Sequence, residues 1–344
     1  MKKAVALGIV IVLGAVLLLG CVPKEIRTSN IELGTWKKPR PNPNIERVKE
    51  NLTLAQKNYP DDPLVYHLWG RVYALEDNYV EMVKAFEKSD ELGDKFSAAN
   101  DTIRMMEWDP LRKGGLEKYQ AQDYSGTLED MENAIICWPH EYDPYMFAAD
   151  AAYRLGENDK AYNLSKQAYA MVPDSMQAAQ QYAEMSLNVG KFDEALAVLE
   201  KLAEKDPTNA VYLISISEIY LEKSDTLKAI EYAEAALAID KDFAEGWLNI
   251  SKLYFMLKDY CKSAEAYDHY IVLIDEPNAD DHFLYLLALY QCEDNDKAKT
   301  ELEKFTMEHP ENCDAWQLMA NTYLRLKMQK EAIEATKKFE DCPK

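Results

Sequence analysis

The feature that most restricts the fold of this chain is an internal period of 34 residues. Mostly small side chains recur in one register at steps of 34 or 35 residues, with a single longer step of 45. These positions are Val48, Met82, Thr127, Ala161, Ala195, Ala229, Ser263, Ala298 and Ala332. A period between about 20 and 50 residues is typical of stacked repeats, in which each unit buries its apolar face only against its neighbours.

Other residue types keep the same register. Proline occupies one slot, tyrosine a second and tryptophan a third: Pro60, Pro139, Pro173, Pro207 and Pro310; Tyr73, Tyr220, Tyr254 and Tyr323; Trp247 and Trp316. Within each period, apolar residues three or four apart predict two amphipathic helices. Short turns such as Gly156–Asn158 separate the two helices, and the recurring proline ends the second one. The pattern therefore predicts an all-α fold.

These slots resemble the signature of the tetratricopeptide repeat family. The resemblance implies an α-solenoid of about eight helix-turn-helix units forming a right-handed superhelix. The units are 63–96, 108–141, 142–175, 176–209, 210–243, 244–277, 279–312 and 313–344, preceded by a degenerate unit whose second helix is 46–60. Residues 97–107 interrupt the register and predict an extended or kinked helix. We therefore divide the body into N-terminal repeat-like helices, 46–107, and a main array, 108–344.

The N-terminus has the pattern of an export signal. Lys2 and Lys3 precede an uncharged apolar run, 4–20, which is shorter than the roughly 20 residues of a spanning helix. The segment Leu18–Cys21 resembles a bacterial lipobox, which implies a signal peptide at 1–20 and lipid on Cys21. The alternative is an uncleaved signal anchor. In proteobacterial lipoproteins an Asp directly after the lipidated Cys resembles an inner-membrane retention signal, so the resemblance, with Val22 at that position, implies the outer membrane.

The segment 21–45 is predicted to be a tether that holds the body away from the membrane. It contains Pro23, Pro39, Pro41 and Pro43 among polar residues and carries more positive than negative charge. Proline-rich segments of this kind are extended, semi-rigid spacers.

The negative charge of the repeats excludes some classes of partner. The chain has a formal net charge of -21, and the negative charge lies in the repeats. Such a surface repels nucleic-acid phosphates, so we expect no nucleic-acid partner.

The sequence contains no pattern that predicts catalysis. The five histidines are not at metal-ligand spacing, and neither a phosphate-binding glycine loop nor a nucleophile elbow is present. The segment Asp280–His282 has the composition of a metal cluster, but its place at the start of a unit favours acidic residues at a helix N-terminus. We therefore expect no enzyme, no catalytic residue, no metal and no cofactor.

In the family, the first helix of each unit lines a concave groove. The resemblance places on that face Tyr119, Met146, Asp150, Tyr153, Arg154, Gln180, Glu184, Ile214, Glu218, Lys252, Phe255, Met256, Phe283, Tyr290, Gln317 and Asn321. Ile214 and Phe283 are equally explained by packing between repeats. Aromatic and methionine side chains beside charges suit a protein or peptide partner.

The charges on this face predict the chemistry of the partner. Chaperone-binding members of the family share a carboxylate clamp, which is a set of Lys, Asn and Arg side chains on adjacent first helices. Matching slots here hold Asp150, Glu184 and Glu218, which would repel a C-terminal carboxylate. We therefore expect a basic or apolar partner.

Four cysteines are placed to form two disulfides in an exported chain. In an antiparallel helix pair, the start of the first helix lies near the end of the second, which brings Cys313 near Cys342. The same argument brings Cys261 near Cys292, and Cys137 is left unpaired. Reduced, buried cysteines are the alternative, although export permits disulfides.

The sequence thus predicts a non-catalytic scaffold in the bacterial cell envelope, attached to the membrane through lipid on Cys21. Its partner is expected to be another envelope protein or peptide. The alternative is a receptor-like lipoprotein that binds an exported peptide or glycan in its concave groove.

Overall fold

The computed structural model describes residues 22–35, 38–39 and 43–342. Described residues form an all-α repeat fold, with one short antiparallel pairing of β1 (Gly34–Thr35) and β2 (Lys38–Pro39). The α-helices are α1 Lys24–Leu33, α2 Ile45–Asn58, α3 Pro63–Leu75, α4 Tyr79–Leu92, α5 Ser97–Gln120, α6 Tyr124–Cys137, α7 Asp143–Arg154, α8 Asn158–Met171, α9 Met176–Asn188, α10 Phe192–Lys205, α11 Ala210–Glu222, α12 Thr226–Ile239, α13 Ala244–Met256, α14 Tyr260–Ile271, α15 Ala279–Gln291, α16 Asn295–Glu308, α17 Cys313–Arg325 and α18 Gln329–Glu340.

The chain divides into two compact units, Met1–Met185 and Ser186–Lys344. The boundary between these units lies within α9. In each unit, consecutive helices pack as antiparallel hairpins, as in α3 with α4 and α11 with α12.

The small-residue slot is the contact that holds each hairpin together. Every member of the slot, from Val48 to Ala332, is at most 2% exposed. A small side chain at this position allows close approach of the paired helices, and larger members such as Met82 are accommodated in core clusters. The register read from the sequence is therefore the register of the core.

The turns inside the hairpins share one backbone conformation. A residue with positive φ ends the first helix, and in five of the described turns the next residue is an Asp or Asn whose side chain caps the second helix: Asn78, Asp123, Asp225, Asp259 and Asp294. Asp259, for example, follows Lys258 (φ 64°) and accepts a hydrogen bond from the backbone N–H of Lys262. This cap satisfies an N–H group that the helix leaves unpaired.

The structure corrects the predicted tether. Residues 24–33 form α1, which packs against α2, and Ile26 and Leu33 are at most 2% exposed. These two side chains lie seven residues apart on one helix face. The degenerate first unit is therefore a complete hairpin, because the prolines stand outside α1: Pro23 at its N-cap, and Pro39 and Pro43 beyond its end.

The register break is absorbed by a single long helix. α5 runs through 24 residues from Ser97 to Gln120 with Pro110 in its interior. The insertion therefore lengthens the first helix of the unit 108–141 without adding a separate element.

In the part of the chain that the structure describes, every helix is too short or too polar to cross a membrane. The predicted signal peptide and Cys21 lie outside the described residues.

Candidate interaction surface

In the unit Met1–Met185, the predicted face residues converge on Asp150. The hydroxyl of Tyr119 donates a hydrogen bond of 2.7 Å to Asp150 Oδ2, and the guanidinium of Arg154 lies 3.6 Å from the same oxygen. Tyr119 also packs edge-on against Phe147 at 5.2 Å. Burial and the bond to Asp150 raise the pKa of Tyr119 to about 12, so this hydroxyl remains a donor at neutral pH.

Glu184 interacts electrostatically with this cluster. Partial desolvation, followed by the negative charge of Asp150, raises the pKa of Glu184, and Arg154 opposes the shift. A carboxylate in this position is stabilised by an approaching cation, since added positive charge favours its ionised form.

The predicted face residues of this unit differ in exposure. Met146 and Tyr153 are half-buried, whereas Gln180 and Glu184 are exposed. The carbonyl of Met146 accepts a hydrogen bond of 2.8 Å from the side chain of Gln181 and so links α7 to α9.

In the unit Ser186–Lys344, the face is divided between charged and apolar residues. Burial, followed by repulsion from Glu245, raises the pKa of the exposed Glu218. Lys252 is paired with Asp281 at 2.7 Å and therefore offers less free positive charge than the sequence alone implied. Ile214 is 6% exposed and belongs to the core, so the packing explanation is correct for this residue.

The aromatic part of this face lies on α13 and α15. Phe255 contacts Tyr260 edge-on, while Met256 projects into solvent with 57% of its surface exposed. The guanidinium of Arg325 lies 3.4 Å from the ring centre of Tyr290 and donates to its backbone carbonyl.

The rest of this face is polar or packed. Gln317 and Asn321 are exposed on α17, and Phe283 packs partly against the core of α15 to α18. Sequence reasoning missed Arg325, and it placed Asp281 at a helix N-terminus without its ion pair to Lys252. Arg325 lies one turn beyond Asn321 on α17, and this spacing was the available signal.

The structure joins Cys261 to Cys292 and Cys313 to Cys342. The Cα atoms of the two pairs are 5.0 Å and 5.8 Å apart. Cys137 is free and buried, and desolvation raises the pKa of its thiol to about 12. Both bonded pairs link elements of the C-terminal repeats.

The segment Asp280–His282, which has the composition of a metal cluster, has its side chains in different environments. Asp281 pairs with Lys252, whereas His282 is 7% exposed and packs on Tyr267 and Phe305. Among the described residues, no group of three His, Cys, Asp or Glu side chains is arranged to hold a metal ion.

Comparisons with known proteins agree with the repeat geometry. Residues 155–214 and 210–243 each match a family model described as tetratricopeptide repeat. The TPR repeat-containing protein YpiA of Bacillus subtilis is 26% identical over 125 residues, which is 35% of this chain and 28% of that protein. Superkiller protein 3 of Saccharomyces cerevisiae is 24% identical over 152 residues, which is 44% of this chain and 10% of that protein. The chain thus spans less than a third of either relative.

Two solved structures share the fold. Pseudomonas aeruginosa PilF aligns with a TM-score of 0.51 at 17% identity, covering 63% of this chain and 99% of that one. A tetratricopeptide repeat protein from Parabacteroides merdae aligns with a TM-score of 0.51 at 15% identity, covering 70% of this chain and 94% of that one. At these identities the likeness concerns the fold alone.

Proposed function

Because this chain is a tetratricopeptide repeat protein, we propose that it is a non-catalytic scaffold of the bacterial cell envelope, anchored by lipid on Cys21. Tetratricopeptide repeats are protein-interaction modules, and this chain is a scaffold of that kind. The finer parts of the proposal are the outer membrane, the lipid, and a partner that is a basic or apolar segment of another envelope protein.

The observation that carries the partner chemistry is the state of Glu184 and Glu218. Both side chains are exposed at one repeat slot, and partial desolvation raises the pKa of each. A lysine or arginine of a partner relieves this cost, whereas a carboxylate increases it. Aromatic groups such as Tyr153 and Tyr290 flank these acids along the chain and supply apolar contact area.

The test is crosslinking of the full-length protein in its native envelope, followed by mass spectrometry. We expect one protein in near-equal amount, lost in a Tyr153→Ala, Tyr290→Ala double variant. The matched control is Leu227→Ala, Val272→Ala, since these side chains are 72% and 77% exposed, on α12 and at the C-terminal end of α14. Capture that persists in the tyrosine variant rejects Tyr153 and Tyr290 as the binding site. Capture of bulk envelope protein only rejects the scaffold assignment and leaves an exported peptide or glycan as the ligand.

The anchor is tested separately. Metabolic labelling with an alkyne fatty acid should label the wild type and not Cys21→Ala, and the variant should move from the membrane fraction to the periplasm or medium. Equal labelling of the two proteins contradicts lipid on Cys21.

A further inference from the structure

A second open groove lies between second helices of the unit Ser186–Lys344, apart from the first-helix face. Its volume is about 540 Å³, within the range of ligand sites. α12 and α14 form its walls and α13 its floor. The lining residues fall in three ranges of eight residues: 234–241 on α12 and the turn after it, 247–254 on α13 and 262–269 on α14. On α13 and α14 the first and last lining residues are seven residues, or two helical turns, apart, so the trough is about 10 Å long.

The floor of this trough is apolar because its polar atoms are already bonded. Trp247 Nε1 donates to the carbonyl of Lys241 at 2.8 Å, and the Tyr254 hydroxyl donates to Glu234 at 2.6 Å. Ile250 and Leu237 fill the space beneath and are 3% and 7% exposed. The half-buried rings of Trp247 and Tyr254 therefore offer carbon surface to an occupant.

Side chains of α14 hold the rings of Trp247 and Tyr254 in place. His269 stacks on Trp247 with ring centres 4.2 Å apart, and the Lys262 ammonium lies 5.0 Å from the ring centre of Tyr254. Rings fixed before binding lower the entropy cost of association, which favours this surface as a binding site.

Charge is distributed unequally along the trough. The Trp247 end carries Lys241, and the Tyr254 end carries Glu234, with Glu265 on the wall between them. Lys262 is partly offset by Asp259 at 3.7 Å. Among the described residues, the side chains of Lys241 and Glu265 have no ion-pair partner.

We propose that this groove binds an amphipathic helical segment of a partner protein. The apolar residues of this partner segment, spaced three and four apart, contact Trp247, Ile250 and Tyr254. An acidic group at one end pairs with Lys241, and a basic group towards the other end pairs with Glu234 and Glu265. A two-turn trough with an aromatic floor and charged rims matches helix-in-groove recognition.

The repeat supplies internal comparisons for this site. Trp316 occupies the slot of Trp247 two repeats further along, where its Nε1 donates to the carbonyl of Pro310 at 3.0 Å and the Tyr323 hydroxyl donates to Glu303 at 2.9 Å. Lys338 replaces the stacked histidine at 6.0 Å from the Trp316 ring. In the unit Met1–Met185, the same slots (Tyr66, Trp69 and Tyr73) line a groove of only about 180 Å³. Trp316 is therefore the matched control for Trp247.

The test uses three designed helical peptides of about 14 residues, or four turns. They share one apolar face and differ in charge: one carries Glu at its N-terminal end and Lys at its C-terminal end, one only Glu, and one only Lys. Fluorescence anisotropy with the full chain should show the mixed peptide binding at least tenfold more tightly than either other peptide. Trp247→Ala should weaken that binding at least tenfold, and Trp316→Ala should leave it within twofold. Lys241→Glu should shift the preference to the all-Lys peptide.

A second variant keeps the test valid if Trp247→Ala is misfolded. Ala238→Glu adds charge at the exposed wall without altering the floor and should also abolish binding. Equal affinity for the three peptides, or equal effects of the two tryptophan variants, overturns the proposal. Trp247-dependent binding of cellotetraose without peptide binding also overturns it. The Tyr153→Ala, Tyr290→Ala variant should bind the mixed peptide normally, which separates this site from the proposed scaffold face.

Discussion

At the scale of single residues, the hairpin turns hold backbone strain in non-glycine residues. Gly156 and Gly190 occupy the positive-φ position in two turns, but six other residues of the described chain adopt φ between 53° and 67°: Asp77, Gln122, Ser224, Lys258, Glu293 and Lys327. Side chains with a Cβ pay for this conformation, and glycine does not. The turns without glycine therefore carry backbone strain that is absent from the turns at Gly156 and Gly190.

Lys258→Gly should stabilise the protein by about 0.5 to 1 kcal/mol, because relief of the left-handed strain exceeds the added entropy of the unfolded chain. Urea unfolding monitored by circular dichroism measures the change. The control is Lys201→Gly inside α10, which should destabilise by about 1 kcal/mol. A loss of stability in Lys258→Gly contradicts the strain argument.

Glu184 links stability to pH through its raised pKa. The folded state binds this proton more tightly than the unfolded state. The stabilisation is therefore complete below the unfolded pKa and is lost as pH rises through the folded value. Glu184→Gln should raise stability at pH 7 and flatten the decline above about pH 4. Unfolding curves from pH 4 to 8 test this, with the exposed Glu200→Gln as control. A destabilised Glu184→Gln at pH 7 would show the carboxylate to be favourably paired.

At the scale of elements, α1 depends on one buried arginine. Arg71 on α3 is 4% exposed and donates to the carbonyls of Leu33 and Gly34 at 3.2 and 2.8 Å. Desolvation lowers the pKa of Arg71 to about 10, so it remains charged at neutral pH. These bonds satisfy carbonyls that the end of α1 leaves unpaired.

Arg71→Met should release α1, since it keeps the aliphatic stem and removes bonds worth about 1.5 to 3 kcal/mol each. Hydrogen exchange of residues 24–33 should accelerate strongly while exchange in α3 changes less. Arg47→Met, at an exposed site on α2, is the control. Unchanged protection of α1 in Arg71→Met would assign its docking to Ile26 and Leu33 alone.

At the scale of the whole molecule, the two units differ in covalent constraint. Both disulfides lie in Ser186–Lys344, and they close loops with sequence separations of 31 and 29 residues. By chain entropy, each loop of this length stabilises the folded state by about 3 to 4 kcal/mol.

Reduction should therefore lower the melting temperature of the C-terminal unit and leave that of Met1–Met185 nearly unchanged. Scanning calorimetry with and without a phosphine reductant measures this, with a Cys261→Ser, Cys292→Ser, Cys313→Ser, Cys342→Ser variant as reference. Mass mapping without reductant should find both pairs, with Cys137 as the free thiol. A reductant effect that persists in the variant would exclude the disulfides as its cause.

The sequence alone determined the features that depend on local chemistry and period. Spacing of apolar and small residues specified the hairpins, because one register must place the same slots in the core of every unit, as Val48 and Ala332 illustrate. The same antiparallel order was sufficient to pair Cys261 with Cys292 and Cys313 with Cys342.

Only the tertiary structure decided which residues remain available once neighbours have packed. The prolines on either side of α1 led to the prediction of a tether. The structure has a docked helix there because Ile26 and Leu33 are buried and Arg71 bonds to its C-terminal end, and these contacts join residues far apart in sequence. Lys252 was assigned to the free face but is held by Asp281. The groove at Trp247 arises from side chains of three helices, and its volume depends on how closely those helices approach, which no single repeat encodes.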